Sequence, residues 1–234
     1  LKGEVVIQAP QQYKYERVVR MAGVRIVTAG SADSCTAKDL EDSLSASTAA
    51  VLYPVLGGPQ EGFLPLADVL VIAHDAGIPV IADADSGYGN AINVVRTVRE
   101  FEKTGVAGIH LEDQSAPKKC GHYEGKEIVP PEEMAGKIKA AVDTRRDEDF
   151  VIIARTDAIA VEGFDAAIDR MNLYLESGAD VGFVEAPQDH EQLESIPSKI
   201  NGPALVNVFK GGKMTAPPRR AALGSSAGDR KSVV

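Results

Sequence analysis

Asp83 and Asp85 stand one residue apart at the end of an apolar run, in Asp83-Ala84-Asp85-Ser86-Gly87-Tyr88-Gly89. Further along, Lys118-Lys119-Cys120-Gly121-His122 sets a thiol among three side chains that can carry positive charge. Together these segments suit chemistry on a small polycarboxylate held by a divalent metal. Asp83, Asp85 and Glu112 supply hard oxygen donors, and no histidine joins them at metal-ligand spacing, which favours Mg2+ or Mn2+ over zinc. Carboxylates gathered without a cation repel one another, so a metal or Arg155 must neutralise them. A purely structural network of Asp with Arg is the competing reading. Beside Lys118, Lys119 and His122 the thiolate of Cys120 is favoured, making it a candidate proton donor or acceptor. The competing reading there is a basic loop with an incidental cysteine. Gly121 and Gly125 give this long connection the freedom of an active-site lid. Gly87-Tyr88-Gly89 lacks the pattern of a nucleotide phosphate loop.

The polar residues fall at regular places. Ile78–Ala82 runs into Asp83 and Asp85, Ala107–Leu111 into Glu112-Asp113, and Phe150–Ala154 into Arg155, Thr156 and Asp157. Val181–Val184 runs into Glu185, and Ala204–Val206 into Asn207. Five successive β-rich runs thus end in a charged or amide side chain. In parallel α/β folds that end of the strands carries the active site. One such residue alone would read as the N-cap of the next helix; five in a row point to one pocket.

The elements that must position them alternate. Candidate strands are Glu4–Gln8, Val24–Ala29, Ala49–Val55, Ile78–Ala82, Ala107–Leu111, Phe150–Ala154, Val181–Glu185 and Pro203–Val208. Helical spacing of three and four marks Tyr13–Met21, Ala37–Leu44, Leu66–Asp75, Ala91–Lys103, Glu132–Thr144, Phe164–Glu176 and Glu191–Ile200. Gly23, Gly77, Gly105 and Gly178 follow helical runs as C-terminal stops, and Pro130-Pro131 before Glu132-Glu133 starts one. Alternation of this kind means a parallel sheet covered by helices. Eight units favour a (β/α)8 TIM-type barrel over an open doubly wound sheet. One barrel domain is expected over residues 1–214, with no evident eighth helix and a tail over 215–234.

Bulk properties set limits. The 234 residues are 44% hydrophobic and 25% charged, enough for one substantial core. A formal net charge of −9 argues against nucleic acid as the main partner. The sequence has no apolar run of the ~18 residues that a membrane span needs, and no visible signal peptide. Cys35 and Cys120 read as two reduced thiols of a cytoplasmic protein.

With these residues in view, the stretch from about Ile78 to Thr215 resembles the isocitrate lyase/phosphoenolpyruvate mutase superfamily, especially its short methylisocitrate lyase-like members. The matching segments are IADADSGYGN, GIHLEDQ, KKCGH, FVIIARTDA, FVEAP and ALVNV. The resemblance implies that Asp83, Asp85 and Glu112 hold Mg2+ directly or through water. It implies an acid–base role for Cys120, carried with Lys118, Gly121 and His122 on a gating loop. Arg155 then contacts a substrate carboxylate, and Glu185 and Asn207 line the same pocket. The implied reaction is retro-aldol cleavage of a small 2-hydroxy di- or tricarboxylate such as 2-methylisocitrate, and a homo-oligomer is compatible with it. A phosphoenolpyruvate mutase or oxaloacetate hydrolase type of the same superfamily is the alternative, although the mutases lack the cysteine.

Residues 1 to about 80 carry a different likeness. KYERVVRMAGVRIVTAG, TAAVLYPVLGG and IAHDAGIPVI resemble the selenium transferase-like branch of fold-type I pyridoxal phosphate enzymes, without the lysine that anchors that cofactor. The two likenesses meet near Ile78–Asp83, so the chain looks like a fusion. A pyridoxal phosphate enzyme fragment and an inactive remnant are the further alternatives this implies.

Overall fold

The computed structural model describes residues 3–11, 25–53, 61–119 and 125–205. Internal contacts group the chain into two compact units, Leu1–Val80 and Ile81–Val234. The boundary falls inside the stretch where the two likenesses meet. The architecture is α/β with parallel sheets, and the described strands number eight, as a β/α barrel requires.

In the first unit, β1 (Glu4–Gln8), β2 (Arg25–Ala29) and β3 (Thr48–Leu52) form a parallel sheet in the order β2-β1-β3. Helices α1 (Ala37–Ser43) and α2 (Leu66–Asp75) pack on each other, and Leu40, Val69 and Ile72 share an apolar core with Val6 and Ala29. Helix α1 starts where Thr36 and Asp39 cap each other's backbone N–H groups, a reciprocal capping box. Cys35 is buried beside it. Tyr13–Met21, expected as a helix, lies outside the described residues.

In the second unit the strands follow one another in space: β4 (Ile81–Asp83), β5 (Gly108–Glu112), β6 (Val151–Thr156), β7 (Val181–Val184) and β8 (Ala204–Leu205). Each parallel neighbour is reached through helix: α3 (Ala91–Lys103), α4 (Pro131–Thr144), α5 (Ile159–Glu162) with α6 (Phe164–Glu176), and α7 (His190–Lys199). Asp83 pairs with His110, Glu112 with Arg155, and Arg155 with Phe183. Because side chains alternate along a strand, these five share one face of the sheet. Ile109, Leu111, Ile152 and Ala154 take the other face, fully buried or nearly so, against helices that bury Met134, Ile138, Met171 and Tyr174. Gly182 lets α6 come close, since a Cβ there would lie 2.7 Å from Met171 Sδ.

The periodicity reading places every described long helix within a residue or so of its bounds. Three details differ. Strand β4 begins at Ile81 rather than Ile78, because Ile78 N–H donates back to Ala73 O and closes the end of α2 (2.8 Å), while Pro79 has no N–H for a ladder. The four-residue α5 is too short to show a helical period. Strand β3 ends at Leu52, and the expected 206–208 extension of β8 and the 215–234 tail lie outside the described residues. Among the described residues, no helix is long and apolar enough to cross a membrane.

Candidate active site

The site is assembled at the carboxyl ends of β4, β5 and β6. Past Asp83 the chain turns sharply, with Asp85 at φ 49°, Gly87 at φ 83° and Tyr88 at φ 60°. Non-glycine residues adopt positive φ only where the surroundings enforce it. Here Asp85 N–H donates to Asp83 Oδ1 (2.8 Å), an Asx turn that holds the two carboxylates together. Gly87 presses against α3, where a Cβ would lie 2.5 Å from Val94 Cγ2. Thr97 Oγ1 donates to Gly87 O (3.1 Å), and the Asn90 side chain caps α3 directly behind the turn. Glu112 N–H donates to Asp85 O (2.9 Å), which ties the turn to the end of β5.

The three acids converge on one cation. Lys118 Nζ contacts Asp85 Oδ1, lies 3.5 Å from Glu112 Oε1 and 3.8 Å from Asp83 Oδ2. Those neighbours raise the Lys118 pKa against the burial that opposes its charge. Glu112 is 1% exposed, and both its oxygens are buried without a hydrogen bond. Burial pushes its pKa up to about 7, with Arg155 and Lys118 pulling the other way. Among the described residues no three His, Cys, Asp or Glu side chains stand at ligating distance of one point; the ammonium sits among the carboxylates instead. The donor set nevertheless fits a hard divalent cation: three carboxylates on one cationic point, one of them deeply buried with both oxygens unsatisfied.

Arg155 comes from β6, next to Glu112. Its Nε and Nη2 donate to Asp157 Oδ2 and Oδ1 (3.0 and 3.2 Å), and it lies 3.5 Å from Glu112 Oε2 and 3.8 Å from Glu185 Oε2. The guanidinium stands 5.1 Å over the Phe183 ring. Among the described residues its Nη1 makes no hydrogen bond. Lys126 Nζ reaches the same Asp157 Oδ1 from the other side (2.9 Å). Burial disfavours the Asp157 anion, but Arg155 and Lys126 hold its pKa below the ordinary carboxylate range.

Behind this layer, the Asp113 carboxylate accepts from Thr156 Oγ1 (2.7 Å), Asp157 N (2.9 Å) and Tyr174 OH (2.9 Å). Arg170 clamps Glu162 through two hydrogen bonds and donates to Val129 O (2.9 Å) and Tyr174 OH (3.2 Å). This network fixes the positions of Thr156 and Asp157 at the end of β6.

The loop after β5 leaves from a paired stem. Ser115 N–H donates to Glu127 O and Val129 N–H to Asp113 O, around an antiparallel bridge between Gln114 and Ile128. The Gln114 side chain holds the Lys119 backbone by two hydrogen bonds (2.9 and 3.0 Å). Cys120, Gly121, His122 and Asn207 lie outside the described residues. Asp83, Asp85, Glu112, Lys118, Arg155 and Glu185 are described: Lys118 touches the three acids, and Arg155 joins Glu112 to Glu185. Sequence reasoning missed three participants. His110 Nδ1 lies 3.6 Å from Asp83 Oδ1, and its signal was the two-residue spacing to Glu112 along one strand. Asp157 was seen as a strand-end residue but given no role. Lys126 carried no signal, since a lysine in a loop defaults to solvent.

Comparison with known proteins adds to this geometry. Residues 16–226 match the family described as phosphoenolpyruvate phosphomutase. The chain is 48% identical to the 2,3-dimethylmalate lyase of Eubacterium barkeri over 196 residues, which are 80% of this chain and 68% of that protein. It is 43% identical to the 2-methylisocitrate lyase of Shewanella oneidensis over 175 residues, 73% of this chain and 60% of that protein. A crystal structure of phosphonopyruvate hydrolase in complex with oxalate and Mg2+ superposes with a TM-score of 0.53 at 28% identity, covering 87% of this chain and 66% of that one. The chain therefore spans about two thirds or less of the proteins it matches. The family match starts at residue 16, well inside the segment that carries the other likeness, so the pyridoxal phosphate likeness of residues 1–80 finds no support.

Proposed function

The chain belongs to the phosphoenolpyruvate phosphomutase family, and from that premise we propose that it is a Mg2+-dependent carbon–carbon lyase acting on a small 2-hydroxy di- or tricarboxylate. The observation that carries this reading is the convergence of Asp83, Asp85 and Glu112 on a single cationic point beside Arg155. The names of the relatives, 2,3-dimethylmalate lyase and 2-methylisocitrate lyase, support the substrate class.

Asp83, Asp85 and Glu112 would hold the metal, with Mn2+ an acceptable substitute and Lys118 withdrawn toward its loop. Bound there, the ion supplies Lewis-acid stabilisation of negative charge on substrate oxygens. The remaining work falls to the chain. Arg155 binds a substrate carboxylate through its Nη1 end while Asp157 fixes the opposite edge of the guanidinium. Glu185, 3.8 Å from Arg155, would line the same pocket, a role the resemblance also assigns to Asn207. As the carbon–carbon bond breaks, the substrate hydroxyl passes its proton to solvent and becomes a carbonyl. The electron pair is left on the departing carboxylate fragment as an enolate. Cys120, carried with Lys118, Gly121 and His122 on the loop, delivers a proton to that carbon.

Incubating the folded protein with Mg2+ and 2,3-dimethylmalate, 2-methylisocitrate, isocitrate or oxaloacetate tests the reading. Cleavage of one of the first three to an oxo acid or oxo-acid-derived pair is expected, abolished by a chelator. Inactivity toward all four in protein of verified fold overturns it.

A further inference from the structure

Lys126 is an unusual lysine. Its side chain is 1% exposed although it sits in the stem of a surface loop, one residue before Glu127, whose carbonyl is held by Ser115. Withdrawing an ammonium from water costs several kcal/mol unless partners compensate. The Asp157 carboxylate does so, with Nζ 2.9 Å from Oδ1 and that carboxylate also fully buried. Backbone pairing on both sides already closes the stem, through Ser115 with Glu127 and Val129 with Asp113. Pinning the loop base therefore does not require an ion pair.

What the lysine changes is the charge around Arg155. Asp157 Oδ1 accepts from both Lys126 Nζ and Arg155 Nη2, while Oδ2 accepts from Arg155 Nε. With Lys126 the trio of two cations and one anion carries a formal +1; without it the charge is zero, because Asp157 alone cancels the guanidinium. Glu112 and Glu185 stand 3.5 and 3.8 Å from Arg155 and oppose an incoming anion. The positive charge left on the Lys126–Asp157–Arg155 trio, which these carboxylates oppose, thus depends on a side chain that comes from the loop stem.

We propose that Lys126 is a positioning residue for Arg155: by sharing Asp157 it keeps the guanidinium oriented and its charge available to the substrate carboxylate. This rests on the lyase reading of the site, in which Arg155 is the carboxylate anchor. Lys126 touches no substrate itself and acts through Asp157.

Titration calorimetry with Mg2+ and then with oxalate on the Mg2+-loaded protein separates the cases. Wild type should bind oxalate; failure to do so overturns the functional reading together with this inference. Lys126→Met should weaken oxalate about tenfold or more, as loss of a close charge partner does, while Mg2+ affinity stays within about twofold. Lys126→Arg should recover most of the loss. In turnover, Lys126→Met should raise KM more than it lowers kcat. Should Lys126→Met not fold, Lys126→Met/Asp157→Asn removes the buried pair as a unit and returns the trio to +1. It should then bind oxalate more tightly than Lys126→Gln, which keeps a hydrogen-bond donor for Asp157 but leaves the trio neutral. Unchanged oxalate affinity in Lys126→Met, equal losses of oxalate and Mg2+ binding, or no recovery in Lys126→Arg each overturn the inference while leaving the lyase reading standing.

Discussion

The two units differ in what stands at the carboxyl ends of their strands. In Leu1–Val80 the charged pair of the sheet is Glu4 with Arg25, cross-strand partners at the amino ends of β1 and β2. Glu4 is buried and also accepts from Ser45 Oγ (2.8 Å), so it closes the bottom of the sheet. The carboxyl ends of these strands finish in Gln8, Ala29 and Leu52, and Gln8 spends its amide on Gln11 and the Leu64 backbone. In Ile81–Val234 the carboxyl ends finish in Asp83, Glu112, and Arg155 with Thr156, while the amino ends are Ile81, Gly108, Val151 and Val181. In parallel β/α folds the carboxyl end carries chemistry and the amino end carries stability. By that rule the proposed machinery belongs to the second unit, while among the described residues the strand-borne ion pair of the first stands at the amino ends.

The largest effect that would test this division is at Asp85. Asp85→Asn should lower lyase turnover by about 10³-fold, since roughly 4 kcal/mol of charge stabilisation depends on the cation it would hold. Thermal stability without metal should change little or rise, because a carboxylate is removed from an acidic cluster. Turnover within tenfold of wild type would move the chemistry away from these strand ends. Cys120→Ser comes next: it should cut turnover about 10²-fold, as loss of an acid–base group does, with Mg2+ binding by calorimetry unchanged. Unaltered turnover would remove the thiol from the reaction.

Much of this division was legible in the chain. Strand ends announce themselves where an apolar run meets Asp83, Glu112 or Arg155, because in a parallel sheet both faces are covered and a run of charged side chains is disfavoured before the end. Helix α3 was legible for a local reason, its apolar spacing of three and four and the Gly105 stop; the structure adds a cap in which Asn90 and Asn93 hold each other's backbone. What stayed hidden depends on contacts distant in sequence. Lys126 and Asp157 are 31 residues apart, and Tyr174 reaches Asp113 across 61. No local pattern encodes either. The N-terminal region misled for the opposite reason. Alternating Val, Ile and Ala with helix-stopping glycines is common to many α/β proteins, so its resemblance to another enzyme class carried fold information and no chemistry.

A pH series sharpens the comparison at Glu112. Its folded pKa of about 7 stands above the ordinary 4.5 because it is buried. A raised carboxyl contributes its stabilisation fully below the unfolded pKa and loses it as pH climbs through the folded value. Metal-free protein should therefore lose stability between about pH 4.5 and pH 7 at this group. Glu112→Gln should flatten that part of the difference between the two melting curves, measured without metal. Parallel curves for wild type and variant would show that the carboxyl is already compensated and that the strand end carries no stored cost.

The smallest expected effect addresses the other unit. Arg25 is 70% exposed in its side chain, so its attraction for Glu4 is screened by solvent, and the buried Glu4 owes part of its place to Ser45. Glu4→Gln keeps the shape and an acceptor oxygen for Ser45 while removing the charge. It should cost about 1 kcal/mol in urea unfolding, the scale of one charge-assisted hydrogen bond partly open to water. It should leave kcat/KM unchanged, because none of the described residues proposed to react lies at that end of the sheet. Turnover lost with stability intact would contradict the assignment of amino ends to folding. It would mean that an ion pair at the base of β1 and β2 governs chemistry at strand ends that carry none of its atoms.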